Sequence, residues 1–235
     1  MRKIKPVRKG DIREVIYSKE HWKLLEKLRR KAIKIMQILS NAGLKPIIHG
    51  SIARGDVKTT SDIDIVIPYQ TPSFKIEATL EQAGINPQQR ILVQATPKHA
   101  VKAHIQIDEN TTITFPLMEL RKLEREFYKF GGELTLEELL ENKRVPGVDK
   151  RLILITPTEK GHLETPIIGR EAEVAKKLNI SIEIINERIR ILTRRDEIGR
   201  TGVYLKRTLS KDESFEEVLK RLIDKDPAIR RRMRL

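Results

Sequence analysis

The chain has 235 residues, 39% hydrophobic and 34% charged, with a formal net charge of +14, enough apolar material for one large or two modest cores. It has no cysteine, which excludes disulfides, thiolate nucleophiles and zinc–thiolate sites. The start Met1-Arg2-Lys3-Ile4-Lys5-Pro6 carries no apolar signal segment and no run approaches membrane-spanning length, so the expectation is a cytoplasmic protein without a membrane partner.

In chain order, a basic, irregular arm is expected to about Tyr17. A long amphipathic helix follows over residues 18–41, with Trp22, Leu25, Leu28, Ile33, Ile35, Met36 and Leu39 at helical spacing and Gly43 ending it. Pro46-Ile47-Ile48 is an apolar run that enters the turn at Gly50-Ser51, and Asp62-Ile63-Asp64-Ile65-Val66-Ile67 reads as a strand. A helix over 71–83, a strand over 89–95 and a hairpin with strands 100–107 and 111–116 come next. Helices at 118–129 and 134–142 are broken by Gly131-Gly132, and a strand at 151–155 closes at Thr156-Pro157-Thr158. The domain boundary is expected near Gly161, giving domains 1–160 and 161–235.

The chemistry concentrates between His49 and Ile67. Small or missing side chains at Gly50-Ser51 let backbone N–H groups approach phosphate oxygens. In Asp62-Ile63-Asp64 the strand period of two sends both carboxylates to one face and the isoleucines to the other. Magnesium is typically held by one or two carboxylates plus substrate phosphates, so this pairing suits a metal-bound triphosphate.

The string Gly50-Ser51-x-x-Arg54-Gly55 with Ser61-Asp62-x-Asp64 in an apolar strand resembles the signature of the polymerase-beta-like nucleotidyltransferase superfamily, and most of all its minimal branch. The resemblance covers residues 47–120. It implies a nucleotidyltransferase of α/β (α+β) class, with a sheet and covering helices, using a nucleoside triphosphate and Mg2+ or Mn2+. It further implies that Ser51 touches the triphosphate, that Asp62 and Asp64 hold the metals, and that Arg54 is a second phosphate contact. The family's third carboxylate has no counterpart on the strand 111–116, which offers threonines. Asp108 is the remaining candidate for that catalytic and metal-binding place, although beside Glu109 and Asn110 it reads equally as a turn residue. His104 is a candidate base on the same strand.

From Thr165 onward the pattern becomes helix, turn and helix. Val174, Ala175 and Leu178 share one face, Asn179-Ile180-Ser181 forms the turn, and Ser181 is expected to cap a second helix bearing Ile184, Ile185, Ile189 and Leu192. A tight ribbon is expected over 195–205. Together these resemble a small winged helix-turn-helix domain, which implies nucleic-acid contacts at Arg188, Arg195 and Arg200. A helix over 212–225 and a cationic tail, Arg230-Arg231-Arg232, complete the chain.

A charge of +14 favours a polyanionic partner, RNA or DNA, through counterion release. Three readings follow. The first is transfer of a nucleoside monophosphate to a nucleic-acid acceptor. The second is AMP transfer to a protein acceptor, and the third a DNA-binding regulator with a degenerate transferase site. The Lys-, Arg-, Glu- and Ile-rich composition resembles that of a thermophile.

Overall fold

A computed structural model of the chain describes residues 5–8, 10–199 and 202–233. The protein is a mixed α+β structure. Its elements run β1 (Arg13–Ile16), α1 (Lys19–Asn41), β2 (Ile47–His49), α2 (Ser51–Arg54), β3 (Ile63–Val66), α3 (Ser73–Gln82), β4 (Gln89–Gln94), β5 (Lys102–Asp108) and β6 (Thr111–Pro116). They continue with α4 (Lys122–Gly131), β7 (Glu133–Thr135), α5 (Leu136–Leu140), β8 (Gly147–Val148), β9 (Ile153–Thr158) and β10 (Gly161–Pro166). The last are α6 (Glu171–Leu178), α7 (Ile182–Ile198), β11 (Leu205–Thr208), α8 (Phe215–Lys225) and α9 (Pro227–Met233). The described residues fall into two compact units, one within Met1–Lys31, Ile48–Ser61 and Arg125–Thr201, the other within Ala32–Ile47, Asp62–Glu124 and Gly202–Leu235. Among the described residues no helix is long and apolar enough to cross a membrane.

The second unit contains strands in the order β11-β4-β5-β6-β3. β3 runs parallel to β6, and the other pairs are antiparallel. Strand alternation sorts the side chains cleanly. Ile63, Ile65, Ile113, Phe115, Ala103, Ile105 and Leu92 share one face, all at 0% exposure. The ring of Phe215 from α8 meets Phe115 edge-on at 5.7 Å, and Ile76 and Leu80 of α3 are equally buried. The opposite face carries Asp64, Thr112, Gln106, His104 and Lys102, and none of these five is fully buried.

In the first unit β1, β10, β9 and β8 form an antiparallel sheet. The arm expected to be irregular therefore contains a strand. β1 pairs with β10 from Arg13 opposite Glu164 to Ile16 opposite Gly161. Glycine is required at 161, because a Cβ there would lie 1.9 Å from the carbonyl oxygen of Val15. Gly161, where the sequence suggested a boundary, is the first residue of β10 and pairs with Thr158 of β9.

The helix pair is present as α6 and α7, with Asn179 in the left-handed region between them (φ 49) and Val174, Ala175, Leu178, Ile184 and Ile185 buried. Ser181 stands at the N-cap of α7, as expected, but its side chain makes no cap hydrogen bond. Its hydroxyl donates to the Glu126 carboxylate instead. The ribbon expected from Arg195 is also corrected, since α7 stays helical through Ile198, and β11 then pairs with β4 rather than forming a separate wing. Nor is the cationic tail a uniformly solvated cluster. Arg232, 4% exposed, donates to the carbonyls of Lys98 and Glu119 and to the Glu124 carboxylate at 2.7 Å.

Candidate active site

In the first unit, the turn after β2 is built around Gly50 at φ 86 and ψ −140, a conformation that favours glycine. Its N–H donates to the Gly132 carbonyl at 2.9 Å. Nothing lies within 4 Å of where a Cβ would stand, so the space above the turn is open. Ser51 opens the short helix α2, and its hydroxyl donates to the Ser61 hydroxyl at 3.2 Å. Ser61 Oγ in turn accepts from the Lys58 N–H at 2.9 Å. The serine expected at the triphosphate is thus tied to the residue immediately before Asp62.

Arg54, expected as a second phosphate contact, is hydrogen-bonded to Asp56 within the turn and to Gly131. Its side chain is 7% exposed and grips Asp56 through Nε and a terminal nitrogen at 2.9 and 3.0 Å, while its other terminal nitrogen donates to the Gly131 carbonyl at 2.5 Å. Three of its five N–H donors are thus spent on these two residues. Gly131 and Gly132, read from sequence as helix breakers, are small because His49 and Arg54 pass over them. Cβ atoms would fall 2.3 Å from the His49 ring and 2.8 Å from Arg54 Cγ.

Other supports went unread. Arg29, 5% exposed, donates to the Ile52 carbonyl at 2.9 Å and the Ala53 carbonyl at 3.3 Å, occupying the last carbonyls of α2. Burial lowers its pKa to about 10. His21 Nε2 donates to the Gly55 carbonyl at 2.8 Å, and its ring stacks on Tyr17 with centroids 3.6 Å apart. The Tyr17 hydroxyl meets His162 Nδ1 at 2.7 Å, and burial raises the phenol pKa while lowering that of His162. The available signal was positional. Arg29 sits four residues after Leu25 and seven after Trp22, on the apolar side of its helix.

In the second unit, Asp62 and Asp64 are both exposed and flank the fully buried Ile63, as the two-residue period requires. Asp64 stands opposite Thr112 on β6, and Thr112 opposite Gln106 on β5. Threonine and glutamine thus occupy the places nearest Asp64 where a third acid was sought.

Asp108, the remaining candidate, is out of register with Asp64. A bulge between Gln106 and Asp108 shifts the register so that Asp108 faces Thr111, whose partner on β3 is Ile63 rather than Asp64. Its carboxylate accepts from the Asn110 N–H at 3.2 Å, as a turn residue does. Among the described residues, no three His, Asp or Glu gather into a metal-holding cluster. His104 is hydrogen-bonded through Nδ1 to the Thr114 hydroxyl at 2.9 Å. Burial first, then the charges of Lys102 and Lys206, push its pKa down to about 4, so the ring is neutral near pH 7.

Of the residues expected at a nucleic-acid interface, Arg195 is exposed on α7. Arg188 is partly withdrawn, its guanidinium 5.0 Å from the Phe127 ring centroid and its pKa lowered to about 10 mainly by burial. Arg200 lies outside the described residues.

Residues 29–129, which contain both the Gly50-Ser51 turn and the Asp62–Asp64 pair, match the family model described as a nucleotidyltransferase domain. That match supports a general nucleotidyl-transfer activity and makes a nucleoside triphosphate the implied substrate. Neither a search of curated proteins nor one of solved structures finds a significant match.

Proposed function

We propose that this protein is a divalent-metal-dependent nucleotidyltransferase that moves a nucleoside monophosphate from a triphosphate to a nucleic-acid hydroxyl. The observation that carries the reading is the exposure of Asp62 and Asp64 around a buried Ile63, in a segment matched to the nucleotidyltransferase domain. Two hard carboxylate oxygens fit Mg2+ or Mn2+, which in such sites takes its remaining ligands from water and substrate phosphates. Bound there, the ion would neutralise charge on the triphosphate. By its resemblance to the family's signature, the Gly50-Ser51 turn is the candidate for phosphate oxygens, through backbone N–H groups and the serine hydroxyl. In the reaction the acceptor oxygen bonds to the α-phosphorus as the bond to the β-phosphate oxygen breaks. Pyrophosphate leaves, and the hydroxyl proton passes to water. The α6–α7 helix pair, with Arg195 exposed, is a further candidate for acceptor contact.

A second reading is favoured by the Thr112 and Gln106 positions beside Asp64, namely a nucleotide-sensing DNA binder that has lost turnover. Incubation with α-labelled nucleoside triphosphates, magnesium or manganese, and RNA, DNA and protein acceptors separates the readings. Labelled nucleic acid, abolished by Asp62→Asn or Asp64→Asn, is expected. Label on polypeptide alone would replace the acceptor class. No transfer, with saturable duplex binding modulated by nucleotide, would establish the regulator.

A further inference from the structure

The face of the second unit's sheet that carries Asp64 is organised in rows whose chemistry changes systematically from one end to the other. Val66 and Thr114 are buried, and the face is open along β4 and β5, where Gln89, Ile91, Val93, Lys102, His104 and Gln106 are exposed or half-buried. Reading across paired strands, the row at the acids is Asp64, Thr112, Gln106, Gln89. The next row is Val66, Thr114, His104, Ile91, Thr208. The third contains Lys102, Val93 and Lys206. Residues directly paired point to the same side of a sheet, and so do residues two apart along a strand. The sequence therefore places acids at one end of this face, a neutral band in the middle and two ammonium groups at the far end. Both lysines lie close enough to His104 for their charges to act on its titration.

The spacing is that of an extended ligand. Adjacent strands are about 4.8 Å apart and alternate residues about 6.7 Å apart along a strand, so the lysine row lies about 13 Å along the sheet from the Asp64 row. That is beyond one phosphate group and within reach of a short phosphodiester chain. Lys102 is half-buried and Lys206 exposed, and between them lies Val93, half-buried, with Ile91 in the adjoining row. Apolar side chains flanked by ammonium groups suit unpaired bases with their phosphates, whereas a duplex hides its base faces.

We propose that this face is a binding track for single-stranded nucleic acid, with Lys102 and Lys206 holding backbone phosphates and the strand end directed toward Asp64. The inference rests on the transferase reading for the identity of the acceptor, but binding is measurable without turnover. The test is fluorescence anisotropy of a labelled single-stranded oligonucleotide, without metal or nucleoside triphosphate, against the full chain over a salt series. Lys102→Gln/Lys206→Gln is expected to weaken binding about tenfold and to reduce the log–log salt slope by about 1.4, about 0.7 for each lost phosphate contact. The charge-matched control Lys150→Gln/Lys160→Gln, at exposed positions of the first unit, is expected to leave both nearly unchanged. Lys102→Arg/Lys206→Arg is expected to restore binding, which shows that a weakened glutamine variant has lost charge and not its fold.

Equal affinity and slope for the glutamine variant and the wild type would overturn the track. So would a lysine-dependent preference for duplex over single strand, or a loss confined to nucleoside triphosphate binding. Lysine-dependent oligonucleotide binding in a protein that transfers nothing would sink the transferase reading and leave the track standing. Transfer with an unchanged acceptor KM in the glutamine variant would do the reverse.

Discussion

Between His49 and Asp56 the polar groups are bonded to one another and to the surrounding elements, whereas Asp62 and Asp64, a few residues further on, are exposed. In the first stretch Arg54 is consumed by Asp56 and Gly131, and the last carbonyls of α2 are taken by Arg29. In the second, the partners across the sheet from Asp64 are a threonine and, beyond it, a glutamine. Charge inside the turn fixes the turn's own backbone, and charge on the strand is exposed beside a threonine. The same residue types thus do opposite work, and mutations should separate them.

The largest contrast is expected at Asp64. Asp64→Asn should lower nucleotide transfer by about a thousandfold or more if the metal depends on it, yet move stability by no more than about 0.5 kcal/mol, as exposed substitutions do. Steady-state kinetics and thermal melting on one preparation measure both. Arg54→Ala should behave in the converse way, costing about 3–5 kcal/mol because Asp56 is left buried and uncompensated. Were Arg54 a phosphate ligand instead, its loss would raise the KM for nucleoside triphosphate with an unchanged denaturation midpoint.

His104 gives an intermediate effect with a definite sign. Its folded pKa of about 4 lies below the ordinary 6.5, so the unfolded chain takes up the proton first as pH falls. The stability this residue confers is complete above pH 6.5 and is lost as pH falls toward 4, by about 2 kcal/mol after discounting for its partial exposure. Urea denaturation of the wild type and His104→Gln at several pH values should show that slope only in the former. Smallest is Gly50→Ala. No atom crowds the missing Cβ, so only the positive φ is penalised, at about 1–2 kcal/mol. A raised KM for triphosphate beyond that destabilisation would sharpen the assignment of the turn to phosphate.

Much of this arrangement was legible locally. The alternation in Asp62-Ile63-Asp64-Ile65 foretold which side chains are buried, and the hairpin at 100–116 and the turn at Asn179 lie where propensity put them. Distant pairings were illegible. No periodicity announces that Arg13–Ile16 pairs with β10, or that Leu205–Thr208 completes the sheet beside β4 and so is not a wing. Asp108 shows the same limit on a smaller scale, since one bulged residue decides which row a carboxylate joins, and a bulge has no spacing signature in a single sequence. The grip of Arg54 on Asp56 was equally hidden, because a motif arginine in a glycine turn looks the same in sequence whether it faces ligand or loop.

The burial of Arg232 has a bearing beyond the tail itself. Its guanidinium neutralises Glu124, a carboxylate that also accepts from the N–H groups of Ala100 and Arg121. Loss of the guanidinium, as in Arg232→Ala, would strip the counter-ion from an acid 8% exposed. The damage would then surface just before β5, at Ala100, far along the sequence from the substitution.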